Sequence, residues 1–147
     1  MKKTSERLFP ESLTIDLLQS ESKNTFSDFL GVTFTEIGPD FMTATMKVEQ
    51  KHLRPGGIMH GGVSLALIET VGSVAARCTL GESAVNTLGI QVSASHLAIA
   101  RPGDILKTTA HALHVGRTTQ AWDVTIQNND GKTVSSGRIT LLVVSKS

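Results

Sequence analysis

From Gly31 onward, apolar and polar residues alternate. The runs GVTFTEIG (31–38) and FMTATMKVEQ (41–50) place apolar side chains at nearly every second position, and Gly38, Pro39 and Asp40 between them are turn formers. This pattern predicts a β-hairpin. Between residues 61 and 80 the period changes: Leu65, Ile68, Gly72, Ala75 and Ala76 recur at helical spacing, while Val63, Ala66, Leu67, Val71 and Val74 fill the other sides. A helix apolar almost all round must be buried on most faces. Gly81 follows where a left-handed cap would close it. Four runs rich in Val, Ile and Thr complete the chain, AVNTLGIQVSASHLA, DILKTTAHALHV, TTQAWDVTIQNN and TVSSGRITLLVV, and the breaks between them carry the Gly, Pro, Asn and Asp of tight connections.

Two strands, one long buried helix and four long strands imply an α+β domain in which an antiparallel sheet curls around the helix. Separate βαβ crossovers would need more helices than this chain supplies. The order of elements suggests the hot-dog fold, and periodicity alone also allows another α+β sheet. Residues 1–30 are polar with scattered Leu and Phe (LTIDLLQS, FSDFL) and read as an N-terminal arm with one or two short, weakly amphipathic helices. Residues 31–147 read as the domain.

Composition narrows the function classes. A chain of 147 residues fits one core, and a net charge of +1 with 18% charged residues points to neither a basic nucleic-acid binder nor an acidic disordered chain. The N-terminal MKKTSERLFPES is basic without an apolar stretch behind it, and no segment approaches the roughly 18 apolar residues of a membrane span. The expected location is the cytoplasm. Cys78, the single cysteine, reads as a small core residue. His111 and His114 read as sheet residues and Trp122 as core or interface. No spacing resembles a metal site or a phosphate-binding glycine loop, so no metal is expected and nucleotide hydrolysis has no support.

One acid interrupts the apolar helix. In RPGGIMHGGVSLALIETVGS (54–73), glycines and His60 stand directly before the helical run and Glu69 lies inside it, the only acidic residue of the helix before Gly81. This stretch, continued by the long strands and by RPGD (101–104) and HVGRTTQAW (114–122), resembles the hot-dog acyl-CoA thioesterases of the phenylacetate-degradation, hydroxybenzoyl-CoA and 1,4-dihydroxy-2-naphthoyl-CoA type. The resemblance extends from about Phe26 to the C-terminus. It implies a long central helix wrapped by about six antiparallel strands and hydrolysis of an aromatic or medium-chain acyl-CoA without a cofactor, coenzyme A thioester being the substrate. It further implies a homodimer, with a homotetramer built from two dimers favoured.

The resemblance also assigns roles. Glu69 becomes the base or nucleophile, Gly61 the oxyanion donor, Ser73 a supporting hydroxyl and His60 a group orienting the thioester. Gly62 and His96 fall at the substrate, with His96 approaching the acyl pocket from the strand after the helix. Arg101, Gly116, Arg117 and Thr118 match positions where relatives hold the nucleotide of coenzyme A. One position departs: relatives usually carry Asn or Gln six residues before the His, and this chain has Arg54. Arginine also donates, and its fixed charge would attract an ionised Glu69 or an acidic group on the acyl chain, altering substrate preference without abolishing hydrolysis.

Elementary physics supports these residue types. A helix start offers unpaired N–H groups and about half a positive charge, suited to a thioester oxyanion. Yet Gly61 and Glu69, eight residues apart, are separated by about 12 Å of rise, whereas both must come within roughly 3 to 3.5 Å of one reacting centre. The oxyanion donor and the carboxylate must therefore come from two subunits, giving a dimer with two equivalent sites. Ser73, four residues on from Glu69, lies on the same face. Direct attack and water activation both stay open. The structural alternative for Glu69 is a buried ion pair, with Arg77 as the partner at hand. Other functional readings are a hot-dog hydratase or dehydratase and a non-catalytic acyl-CoA-binding protein. No nucleic-acid or membrane partner is expected.

Overall fold

The alternating runs form six strands and the apolar run forms one long helix in a computed structural model that describes residues 6–83 and 85–145. Residues 1–5 of the expected arm, Ala84 and residues 146–147 lie outside the described residues. The arm carries α1 (Ile15–Ser22) and α2 (Phe26–Leu30). The hairpin follows as β1 (Thr33–Ile37) and β2 (Phe41–Lys47), then a 3₁₀ turn at Gln50–His52 and the long helix α3 (Gly61–Cys78). The last four runs form β3 (Val85–His96), β4 (Ile105–Val115), β5 (Thr119–Gln127) and β6 (Thr133–Ser145). All pairings are antiparallel, in the order β1-β2-β4-β5-β6-β3.

The sheet turns its inward residues onto α3. Ile68, Val71 and Ala75 of the helix and Trp122, Val124, Ile126, Ile139 and Leu141 of β5 and β6 are fully buried, each large side chain contributing about 1.5–3 kcal/mol relative to exposure. Trp122 belongs to this core. It stacks on Phe9 of the arm at 6.2 Å between ring centroids, and its Nε1 donates to Gln120. Cys78 is buried as well, and burial pushes its thiol up to about 11, the setting of an unreactive packing residue. No helix among the described residues is long and apolar enough to cross a membrane.

Two details differ from the sequence pattern. The helix ends at Cys78 with Thr79 as its cap, whose hydroxyl donates to the Ala76 carbonyl at 2.8 Å. Gly81 adopts φ +59° two residues later, in the turn that leaves the helix. Burial is also uneven: Val63, Ala66, Thr70 and Ser73 form a half-buried stripe along α3.

The two edges of the sheet are treated differently. At β1, the Gln19 side chain of α1 takes the place of a neighbouring strand, donating to the Val32 carbonyl (3.2 Å) and accepting from the Phe34 amide (3.1 Å). At the other end, the twelve-residue β3 leaves its outer edge unpaired among the described residues, with Leu88 and Ile90 each 55% exposed. Natural proteins seldom leave so long an apolar edge open without a partner for it.

Candidate active site

The start of α3 is fixed by two histidines. His60 is its N-cap: Nδ1 accepts from the Gly62 amide at 2.8 Å, which places the proton of the neutral ring on Nε2. Gly62 was expected to serve the substrate, but its N–H is already occupied by His60. The Gly61 amide bonds to no described residue, which leaves it as the free donor at the positive end of the helix. Behind the cap, His52 is 1% exposed. Its Nδ1 accepts from the Glu49 amide and its Nε2 donates to the Leu30 carbonyl, each at 2.9 Å, and its own carbonyl accepts from the His60 amide at 2.8 Å. Burial holds the His52 imidazole below its ordinary pKa, so it serves as a neutral strut. Sequence pattern did not single out His52.

His96 arrives from the end of β3. Its Nε2 lies 3.0 Å from where a Cβ on Gly61 would stand, so glycine at 61 is what lets the imidazole close over the helix start. Gly61, His96 and Arg54 line one cavity of about 370 Å³ together with Ser64, Met59 and Val134. Ser64, which the sequence pattern also passed over, sits one turn after Gly61 and is 1% exposed. No fully buried side-chain polar atom among the described residues lacks a hydrogen bond. A hydroxyl with no partner there, like that of Ser64, is therefore one that opens onto the cavity it lines.

Glu69 stands apart from this cavity. It is half-buried, accepts from the Ser73 hydroxyl at 3.2 Å and rests against β3, with Oε1 2.6 Å from where a Cβ on residue 89 would stand. Gly89 thus makes room for the carboxylate. The clue in the sequence was an isolated glycine inside a strand pattern, which marks a bulge or a close approach, and the register does shift between Gly89 and Gln91. The expected alternative of an ion pair with Arg77 does not occur: Arg77 bonds Glu21 at 2.6 Å, and no described cation lies within ion-pair distance of Glu69.

One chain therefore brings together Gly61, His60, His96 and Arg54 at the helix start, and Glu69 with Ser73 two turns further along. The expected nucleotide-binding residues also separate. Arg101 is exposed in the turn before β4, near the His96 end of the sheet, whereas Gly116, Arg117 and Thr118 form the β4–β5 turn at the opposite end, beside Leu142 and Leu88. His111 and His114 are exposed on β4, and His111 lies against Phe41.

A buried helix wrapped by six antiparallel strands is the hot-dog arrangement of the thioester hydrolases. The chain belongs to the thioesterase superfamily, which its residues 56–135 match. It is 33% identical to the 1,4-dihydroxy-2-naphthoyl-CoA hydrolase of Escherichia coli (strain K12) over 93% of this chain and 99% of that protein. Identity to the proofreading thioesterase EntH of Cronobacter sakazakii is 31%, over 93% of this chain and 98% of that one. The crystal structure of a thioesterase from Haemophilus influenzae superposes with a TM-score of 0.89 at 33% identity, covering 94% of this chain and 95% of that one.

Proposed function

We propose that the protein hydrolyses acyl-CoA thioesters, aromatic or medium-chain, at two equivalent sites, each built from the α3 start of one subunit and Glu69 of the partner subunit. The carrying observation is the placement of Glu69: half-buried against the open edge strand β3, held by a hydroxyl, without a cation among the described residues, and two helical turns from the free Gly61 amide that would hold the oxyanion. Antiparallel pairing of two β3 edges about their middles would set the Glu69 end of one strand beside the His96 end of the other. It would also cover Leu88 and Ile90. The same operation brings the Gly116–Arg117–Thr118 turn of one subunit towards Arg101 of the other, so cations from both would meet the coenzyme A phosphates. Resemblance adds a tetramer of two such dimers and a cytoplasmic location.

In this reading the thioester oxygen accepts from the Gly61 N–H, and His60 and His96 shape the approach. The partner's Glu69 either takes a proton from the attacking water or attacks the carbonyl carbon itself. Charge that develops on the oxygen is held by the helix start, and the coenzyme A thiolate leaves. Where water attacked, loss of the thiolate leaves the free acid; where Glu69 attacked, water then hydrolyses the anhydride to the free acid and the restored carboxylate, and no cofactor is needed.

The test has two arms, both read as thiol release from a panel of acyl-CoAs. Glu69→Ala should lose about a hundredfold or more in kcat while staying folded. Mixing Glu69→Ala with Gly61→Ala subunits, each impaired alone, should recover about a quarter of wild-type activity, because half of the dimers are mixed and each mixed dimer holds one intact site. Absence of thiol release by wild type would refute the reaction, and absence of recovery on mixing would refute the shared site.

A further inference from the structure

The cavity beside Gly61 holds more hydrogen-bond donors than a thioester carbonyl can use. Arg54 is the only permanent charge among its described lining residues, and no carboxylate lines it. The guanidinium is exposed and folds back on its own loop, where Nη1 donates to the Pro55 carbonyl at 2.7 Å. Beneath it the loop is closed by Arg54 N–H to the Ile58 carbonyl (2.9 Å) and Gly57 N–H to the Arg54 carbonyl (3.1 Å). No described carboxylate lies within ion-pair distance of Arg54, so its other donors are unmatched. Ser64 lines the same cavity and opens its hydroxyl onto it, among walls that include the apolar Met59, Ala100 and Val134.

A cavity that combines apolar walls with an unmatched guanidinium and a serine hydroxyl suits a short carbon chain that carries an anion of its own. We infer that the cavity selects acyl groups ending in a carboxylate, which Arg54 grips in the paired geometry that a guanidinium offers a carboxylate. This deepens, and rests on, the reading of the protein as an acyl-CoA thioesterase. Arg54 is then a specificity-determining residue whose charge meets the substrate.

The deciding measurement compares adipoyl-CoA with hexanoyl-CoA, six-carbon acyl groups that differ in whether the chain ends in a carboxylate or a methyl. The ratio of their kcat/KM values should fall about tenfold or more on Arg54→Gln, and Arg54→Lys should keep part of it. An equal fall for both substrates would overturn the inference, because Arg54 would then serve the carbonyl or the partner's Glu69 alike. If wild type releases thiol from neither, calorimetry with S-hexyl-CoA and S-(5-carboxypentyl)-CoA decides the cavity, while the wider acyl-CoA panel decides hydrolysis. Tighter binding of the acid that is lost in Arg54→Gln supports the assignment, and equal affinities refute it.

Discussion

Gly89 and Glu69 constrain each other across the helix–sheet interface. A methyl at 89 would stand 2.6 Å from Glu69 Oε1, and the group that must give way is the far end of a flexible side chain. Gly89→Ala should therefore fold with a melting temperature within a few degrees of wild type, yet lose about ten- to a hundredfold in kcat, since an ångström of misplacement at a reacting group has that effect. Unchanged turnover would mean that the carboxylate position against β3 does not matter. Gly61, Glu69 and Ser73 were legible in the sequence because their relation is local, set by the helical repeat along one element. Gly89, Ser64 and His52 were not, because each acquires its meaning from a partner brought in by another part of the chain.

At the scale of elements, the entry to α3 is held by a neutral histidine. His52 joins the 3₁₀ turn, the end of α2 and the His60 backbone. Burial is the main cause of its lowered pKa, followed by the upward pull of the Leu30 carbonyl, with Lys51 lowering it further and Glu49 opposing. Between the folded value and the ordinary 6.5, the unfolded chain binds more protons at this site than the folded chain. The stabilisation is thus complete above about pH 6.5 and is lost as pH falls from there through the folded value. Thermal unfolding should show a drop in melting temperature between pH 7.5 and 5.5 that is smaller in His52→Gln. Parallel curves for the two proteins would assign the drop to other groups. Strands and helix were readable here from periods of two and 3.6 and from Gly, Pro and Asn at the breaks. The helix terminus fell two residues before the expected Leu80, within the fraying of a last turn in which Thr79 is the cap and Gly81 carries the left-handed backbone.

For the whole molecule, the helix pattern promised burial on most faces, and one chain covers only part of it. The half-buried stripe from Val63 to Ser73 and the unpaired β3 edge are the parts of the pattern that a single chain leaves unanswered, and the proposed two-subunit site rests on the spacing of Gly61 and Glu69. The Gln19 contact at the opposite edge has a further consequence. A sheet with two open edges can add copies at both ends and grow without limit, whereas a sheet with one edge stopped closes after two. By occupying the Val32 carbonyl and the Phe34 amide, Gln19 stops β1 as a growing end. Gln19→Ala should therefore keep its thioesterase activity at low concentration and show light scattering that rises steeply with protein concentration, while wild type stays at a fixed size. A variant that scatters no more than wild type would show that β1 is protected by other means. On this view one glutamine amide separates a finite enzyme from a polymer.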